Sequence, residues 1–278
     1  MKDNMRKIVE LVLFLTLAFF IVNCAGKKPQ TYEDANIYYT KAQKEFDKEK
    51  WLKAIDNFRL YILNNPGGEL ADDAQFHIAE SYYNREEFLM AIAEYTQLVE
   101  RYKYSDLLVD GYFKIAMCYY ELSPKYQREQ THTEKALRQL QEYIDAFPNT
   151  NNAKIAQEKI NELRNKLGRK LYESGKIYRK LSQWDAAILY QDDMLNSYYD
   201  TKWAVYAKYE KAYCFIKKRD FKSYEEMKSE IMENEDLSVE KKSDLIQKLE
   251  KLYNKELRKI EREKRKAQEK ERRNKWWF

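Results

Sequence analysis

The stretch WLKAIDNFRLYI at residues 51–62 carries the pattern that decides the fold. The aromatic residue Trp51 stands three positions before Ala54, and a second aromatic residue, Phe58, stands four positions after it. The arrangement returns 37 residues later in FLMAIAEYTQLV at 88–99. Residues three or four positions apart share one face of an α-helix. The pattern therefore predicts helices that each place a small residue between two aromatic rings.

Further copies of this pattern follow along the chain. Ala136 and Ala187 take the position of the central alanine, and a weaker fifth copy surrounds Ala212 and Tyr224. In three copies another small residue stands twelve positions before the central alanine: Ala42, Ala79 and Gly175. The pattern resembles the tetratricopeptide repeat. This resemblance implies an all-α, tetratricopeptide-like solenoid of about five helix-turn-helix repeats, because one repeat alone cannot bury its apolar face.

The intervals between the copies predict the domain organisation. The third copy has eight extra residues at 123–130. Residues 153–181 contain no proline and keep helical apolar spacing, which predicts one long helix before the fourth copy. We therefore expect an N-terminal block of three repeats at 33–150, a C-terminal block of two repeats at 151–235 and a long charged helical tail at 236–278.

The composition excludes several classes of function. Six Gly among 278 residues are too few for phosphate-binding glycine loops, and neither GxGxxG nor GxxxxGK[ST] occurs. Three Cys and two His without a CxxC pair offer no framework for zinc or for several disulfides. The many Asp and Glu fit solvated helix faces, and no catalytic triad or metal spacing appears. We expect no catalytic residue, no metal and no cofactor.

The N-terminus has the pattern of an export signal. Basic residues within 2–7 precede an unbroken apolar run at 11–22, which predicts a secretory signal peptide at 1–23. The sequence IVNC at 21–24 resembles the lipobox of bacterial lipoproteins, and this resemblance implies cleavage before Cys24. The alternative is an ordinary secretory signal beside an incidental cysteine.

The same resemblance implies how the protein is anchored. Cys24 would carry covalent lipid, and residues 24–32 would form a short tether. Two or more acyl chains hold a protein on a bilayer almost permanently. Ala25 follows the cysteine where Asp would retain a lipoprotein in the inner membrane, so we expect a location on the periplasmic face of the outer membrane.

Aromatic residues accompany the small residue in the first helix of the first three repeats. They are Tyr39, Phe46, Phe76, Tyr83, Phe113 and Tyr120. In a tetratricopeptide solenoid the first helices line a groove, so the resemblance implies a peptide groove that includes these rings and the polar Asn84. The alternative is ordinary packing between helices, since aromatic residues at helical spacing are usually buried.

The lipobox, the five repeats, the insertion and the long helix together resemble the BamD family of the outer-membrane β-barrel assembly machinery. Local similarity lies in YYELSP at 119–124 and QWDAA at 183–187, and the resemblance covers about 24–235. It implies a non-catalytic adaptor that binds the periplasmic domains of the barrel-forming assembly protein through its C-terminal repeats. Near its N-terminal repeats it would receive unfolded outer-membrane protein precursors, and its anchor would contact outer-membrane lipid.

Two other functions stay open. One is a different periplasmic repeat lipoprotein that coordinates cell-envelope or division complexes. The other is a hydrolase, which would need a clustered set of nucleophile and acid or base residues.

The end of the chain is strongly basic. Residues 255–275 hold 11 Lys and Arg against 5 Glu, and three aromatic residues follow at 276–278. The simplest interpretation is a solvated helix or a frayed tail. An acidic partner or anionic lipid is the functional alternative. Nucleic acid is not an expected partner of an exported chain.

Overall fold

A computed structural model describes residues 32–235 and 237–275 of the chain. The predicted signal peptide, Cys24 and the aromatic residues at 276–278 lie outside the described residues. Within them the chain forms eleven α-helices and no strand, which confirms the all-α prediction. The helices are α1 Tyr32–Phe46, α2 Trp51–Asn64, α3 Ala71–Asn84, α4 Phe88–Arg101, α5 Leu108–Leu122, α6 Thr131–Ala146, α7 Asn151–Lys180, α8 Trp184–Tyr198, α9 Ala204–Lys218, α10 Phe221–Glu233 and α11 Val239–Lys275.

Consecutive helices pack as hairpins. The pairs are α1 with α2, α3 with α4, α5 with α6, α7 with α8, and α9 with α10. Short connections force neighbouring helices to run antiparallel. The five hairpins confirm the predicted tetratricopeptide-like repeats.

The hairpins divide between two compact units. The N-terminal unit ends at Leu107 and holds α1 to α4, whereas the C-terminal unit begins at Leu108 and holds α5 to α11. This boundary falls before the third hairpin, while the division expected from repeat spacing lies after it, at residue 150. The third hairpin shares a core with the first half of α7, where Leu140 packs in one cluster with Ile160 and Leu163.

The predicted small residues lie where helices cross. Each of the following alanines is no more than 1% exposed: Ala42, Ala54, Ala79, Ala91, Ala116, Ala136, Ala187 and Ala212. A larger side chain at such a position would separate the two helices, because protein interiors are close-packed. The small residues whose spacing predicts the repeats are therefore the residues that allow the helices to pack closely.

The fourth hairpin uses a glycine at the same position. A Cβ atom on Gly175 would lie 2.2 Å from Nε2 of Gln191 and 3.2 Å from the carbonyl oxygen of Ala187. Gln191 is fully buried and takes the place that Phe58 and Tyr95 hold in the first two hairpins. Its amide donates a hydrogen bond of 3.0 Å to the backbone oxygen of Tyr172. The absent Cβ makes room for this polar side chain.

Four hairpins share one turn geometry without glycine. Residues in the left-handed region, with φ between 57° and 63°, connect the two helices: Glu49, Glu86, Ser182 and Arg219. The next residue donates its N–H to a carbonyl five residues earlier, for example Glu87 to Tyr82 at 3.0 Å. This is the Schellman pattern that ends many helices. In the third hairpin the insertion at 123–130 replaces this turn.

Two long helices complete the C-terminal unit. Thr150 caps α7 by accepting a hydrogen bond from the N–H of Ala153 at 3.2 Å, and the 30-residue helix confirms the predicted long helix. The first part of α11 packs on α9 and α10 through Leu245, Ile246 and Leu249. From residue 261 onward every described side chain of α11 is exposed. None of the described helices combines the length and apolarity needed to cross a membrane.

Candidate peptide-binding site

The predicted rings of α1 pack against the second helix of their own hairpin. Tyr39 and Phe46 are both half-buried. The ring of Tyr39 meets Phe58 and Tyr61 edge-on, with centroids 5.5 and 5.3 Å apart. The ring of Phe46 meets Trp51 edge-on at 5.1 Å. Such edge-to-face pairs stabilise the hairpin beyond the area that they bury.

The predicted rings of α3 follow the same arrangement. Phe76 meets Tyr95 edge-on at 5.6 Å, and Tyr83 meets Phe88 edge-on at 5.4 Å. Both rings of α3 are half-buried, whereas Asn84 at the end of the helix is exposed. The first helix of the second hairpin therefore carries two half-buried rings and one exposed amide.

Two residues that the sequence analysis did not single out connect the hairpins of the N-terminal unit. The hydroxyl of Tyr39 donates a hydrogen bond to the carboxylate of Asp73. Burial, assisted by this hydrogen bond, raises the pKa of Tyr39 and keeps its proton in place. The ring of His77 lies 4.9 Å from Phe46 and stacks on Phe58 at 5.3 Å. The i, i+4 spacing of Asp73 and His77 on α3 is the one sequence signal that groups them.

A shallow cavity of about 520 Å³ lies along α1. Its lining consists of Tyr39, Thr40, Gln43, Lys44, Asp47 and Lys48. The amide of Gln43 donates to Oδ1 of Asp47 at 2.9 Å. The cavity combines a ring, an amide, two lysines and the carboxylate of Asp47, so its lining carries one net positive charge.

The two remaining predicted rings belong to the C-terminal unit. The half-buried ring of Phe113 lies 5.3 Å from Tyr143 and packs against the core of the third hairpin. The hydroxyl of Tyr120 donates to the carboxylate of Glu162 and accepts from Nζ of Lys159 at 3.3 Å. Burial raises the pKa of Tyr120, and its bond to Glu162 adds to this effect. Both rings therefore pack within the C-terminal unit.

The sequence left two interpretations of the six rings open, a peptide groove and ordinary packing between helices, and the structure has features of both. All six rings pack on neighbouring helices, yet each keeps part of its surface in contact with solvent. Peptide binding by these residues stays a prediction.

The described residues hold no group of three or more His, Cys, Asp or Glu side chains placed to bind a metal ion. Cys118 and Cys214 are both buried. Burial raises the pKa of Cys214 to about 12, so this thiol stays protonated at neutral pH.

Solved tetratricopeptide-repeat structures resemble the chain at low identity. The TPR domain of P58(IPK) is 15% identical, with a TM-score of 0.41 over 83% of this chain and 67% of that one. The TPR2AB domain of yeast Sti1, solved in complex with pHSP90, is 14% identical, with a TM-score of 0.38 over 81% and 99%. A Rap protein complexed with competence and sporulation factor is 18% identical, with a TM-score of 0.33 over 71% and 53%. The chain thus spans about half the length of the Rap protein.

The family comparison covers most of the chain. No curated protein matches the sequence. Residues 31–228, however, match the family YfiO, which is described as outer membrane lipoprotein. The matched segment spans all five hairpins apart from the last residues of α10. It confirms the resemblance to BamD-like lipoproteins. The chain therefore belongs to the YfiO family of outer membrane lipoproteins.

Proposed function

We propose that this protein is a non-catalytic adaptor of the outer-membrane β-barrel assembly machinery. It binds the barrel-forming assembly protein and unfolded outer-membrane protein precursors, and it supports their folding and insertion. The observation that carries the proposal is the family match across residues 31–228. The five hairpins agree with it, since stacked helical repeats offer extended surfaces for protein partners.

The N-terminal unit receives the precursor. The cavity along α1 places the half-buried ring of Tyr39 beside the amide of Gln43 and the ammonium groups of Lys44 and Lys48. A C-terminal aromatic side chain can pack on the ring while the terminal carboxylate approaches the lysines. One aromatic pair contributes about 1 kcal/mol, so binding requires further contacts along the peptide. The half-buried rings of Phe76 and Tyr83 on α3 belong to the same proposed site.

The C-terminal repeats bind the periplasmic domains of the assembly protein. This assignment rests on the family, and the hairpins concerned are α7 with α8 and α9 with α10.

The lipid on Cys24 holds the adaptor at the periplasmic face of the outer membrane. Changing Cys24 to Ser should move the protein into the soluble periplasmic fraction. Tight membrane attachment of the Cys24→Ser protein would contradict lipidation at this residue.

Peptide binding is tested by fluorescence anisotropy with a labelled peptide that ends in Phe. The variant Tyr39→Leu together with Gln43→Ala keeps an apolar side chain on the hairpin core but removes the ring and the amide. We expect it to bind the peptide about tenfold more weakly, which corresponds to about 1.4 kcal/mol. Leu63→Ala, an exposed change on α2 outside the cavity, should bind as the wild type does.

A matched peptide that ends in Ala controls for recognition of the aromatic end. Equal binding of both peptides, or wild-type affinity in the double variant with unchanged helicity, would remove the proposed precursor site.

A further inference from the structure

A second cleft, of about 460 Å³, lies within the C-terminal unit. Its walls are the insertion at 123–130, the middle of α7 and the residues just before α9. The side chains that matter for its chemistry are four cations and two rings: Lys125, Lys166, Arg169, Lys202, Tyr126 and Trp203. This volume falls within the range of pockets that bind small molecules and cofactors.

The insertion forms a defined wall rather than a loose loop. The buried amide of Gln130 donates to the carbonyl oxygens of Lys125 at 3.0 Å and Arg128 at 2.8 Å. Two lysines of α7 hold the loop from the other side. Nζ of Lys170 donates to the Arg128 oxygen at 2.6 Å, and Nζ of Lys166 donates to Oγ of Ser123 at 2.8 Å.

Arg169 lies beside two aromatic rings. Its guanidinium carbon lies 4.2 Å from the ring centre of Tyr126 and 5.3 Å from that of Trp203. Stacking on rings orients a guanidinium group while its N–H edge stays available. No carboxylate in the described parts of the chain pairs with Arg169. This edge suits two parallel hydrogen bonds to a carboxylate.

The cleft has an excess of positive charge. Glu162 is the one carboxylate in its lining, and it is already engaged by Tyr120 and by Lys159, whose Nζ lies 3.0 Å away. Burial lowers the pKa of Lys166, because its ammonium group has lost water without gaining a full counter-charge. An anion in the cleft would supply that charge.

We propose that this cleft binds an acidic peptide segment of a partner protein, with a carboxylate on the N–H edge of Arg169 and the surrounding lysines. The cleft is larger than a single oxyanion requires, and the exposed amide of Gln127 beside it can pair with a peptide backbone. The inference stands apart from the proposed precursor site, because it depends on the side chains of this cleft alone.

The test is fluorescence anisotropy at low salt with the full-length protein in detergent and a labelled peptide that contains three consecutive Glu. Arg169→Gln should weaken binding about tenfold or more, since hydrogen bonds to charged groups are strong. Arg169→Lys keeps the positive charge but loses the paired N–H groups of the guanidinium. Its affinity for the peptide should lie between that of the wild type and that of Arg169→Gln. Lys125→Gln, an exposed change at the opposite wall, should also weaken binding.

Lys154→Gln is the matched control, because Lys154 is exposed on α7 outside the cleft and its replacement changes the charge equally. We expect it to change affinity less than twofold. Circular dichroism establishes that each variant keeps its helicity. A peptide with Gln in place of Glu should not bind.

Three outcomes would overturn the proposal. Equal weakening of binding by Lys154→Gln and Arg169→Gln would indicate unspecific charge attraction. Equal affinity for the Gln peptide and the Glu peptide would show that the carboxylates are not recognised. Displacement of the peptide by inorganic phosphate at concentrations where acetate has no effect would assign the cleft to phosphate groups.

Discussion

Gly175 lies at a close contact between α7 and α8, and its replacement by Ala tests the packing of the repeats. The new Cβ would meet Nε2 of Gln191 at 2.2 Å and Cδ at 2.8 Å. Gln191 is fully buried, so its side chain has no solvent-filled space to enter. Moving it breaks the 3.0 Å hydrogen bond to the oxygen of Tyr172.

The magnitude follows from three contributions. Overpacking costs about 1–3 kcal/mol. A buried amide that loses its partner costs about 1–3 kcal/mol. Ala gains about 1 kcal/mol over Gly in a helix interior. We expect Gly175→Ala to lower the free energy of unfolding by about 3 kcal/mol, which lowers Tm by about 6–12 °C.

Thermal and urea unfolding followed by circular dichroism measure this change. Gly67→Ala is the control, because a Cβ there has no neighbour within 4 Å. Adding Gln191→Leu to Gly175→Ala should restore stability, since Leu140 holds the equivalent position in the third hairpin. Gly175→Ala alone would refute the reasoning if it were as stable as the wild type or more stable.

Three further changes test the turns, an ion pair and a thiol. Glu86→Gly should raise the free energy of unfolding by about 0.5–1 kcal/mol, because Gly accepts positive φ without strain; lower stability in urea would contradict this. The hydrogen bond from Arg164 lowers the pKa of Asp200, so this carboxylate stabilises the fold above its unfolded pKa and loses that effect as pH falls through the lowered value. The side chain of Asp200 is 43% exposed, so this stabilisation is at most about 1 kcal/mol. The Asp200→Asn protein should lose less stability on acidification than the wild type. Equal losses would argue against the ion pair between Arg164 and Asp200. Iodoacetamide should alkylate Cys214 only after unfolding, and rapid labelling of the native protein would show that the thiol is accessible.

The helices and their crossings were predictable because they depend on local spacing. Ala54 and Ala91 define the repeat by their position relative to aromatic residues, and both are fully buried. The helical apolar spacing of residues 153–181, together with the absence of proline there, predicted α7. These features follow from helical periodicity alone.

The turns, and the polar residue Gln191 at a position that is apolar in the first three repeats, were not predictable from local spacing. Glu86 and Arg219 adopt a left-handed conformation that is most common for glycine. Because no glycine stands at these positions, the sequence does not indicate the turns. Gln191 departs from the consensus, and its fit depends on Gly175 sixteen residues earlier.

The candidate sites depend on contacts between distant residues. Tyr39 meets Asp73 34 residues along the chain, and Arg169 meets Tyr126 and Trp203 from separate elements. Spacing within one helix identifies rings but cannot identify such partners. The aromatic residues were therefore found from the sequence, whereas the cleft around Arg169 was not.

The adaptor function is tested most directly by purifying the tagged protein from detergent-solubilised membranes and identifying its partners by mass spectrometry. We predict that the barrel-forming assembly protein co-purifies in amounts comparable to the bait and is lost from an untagged control. Recovery of envelope or division proteins with no barrel-forming assembly protein would contradict the account.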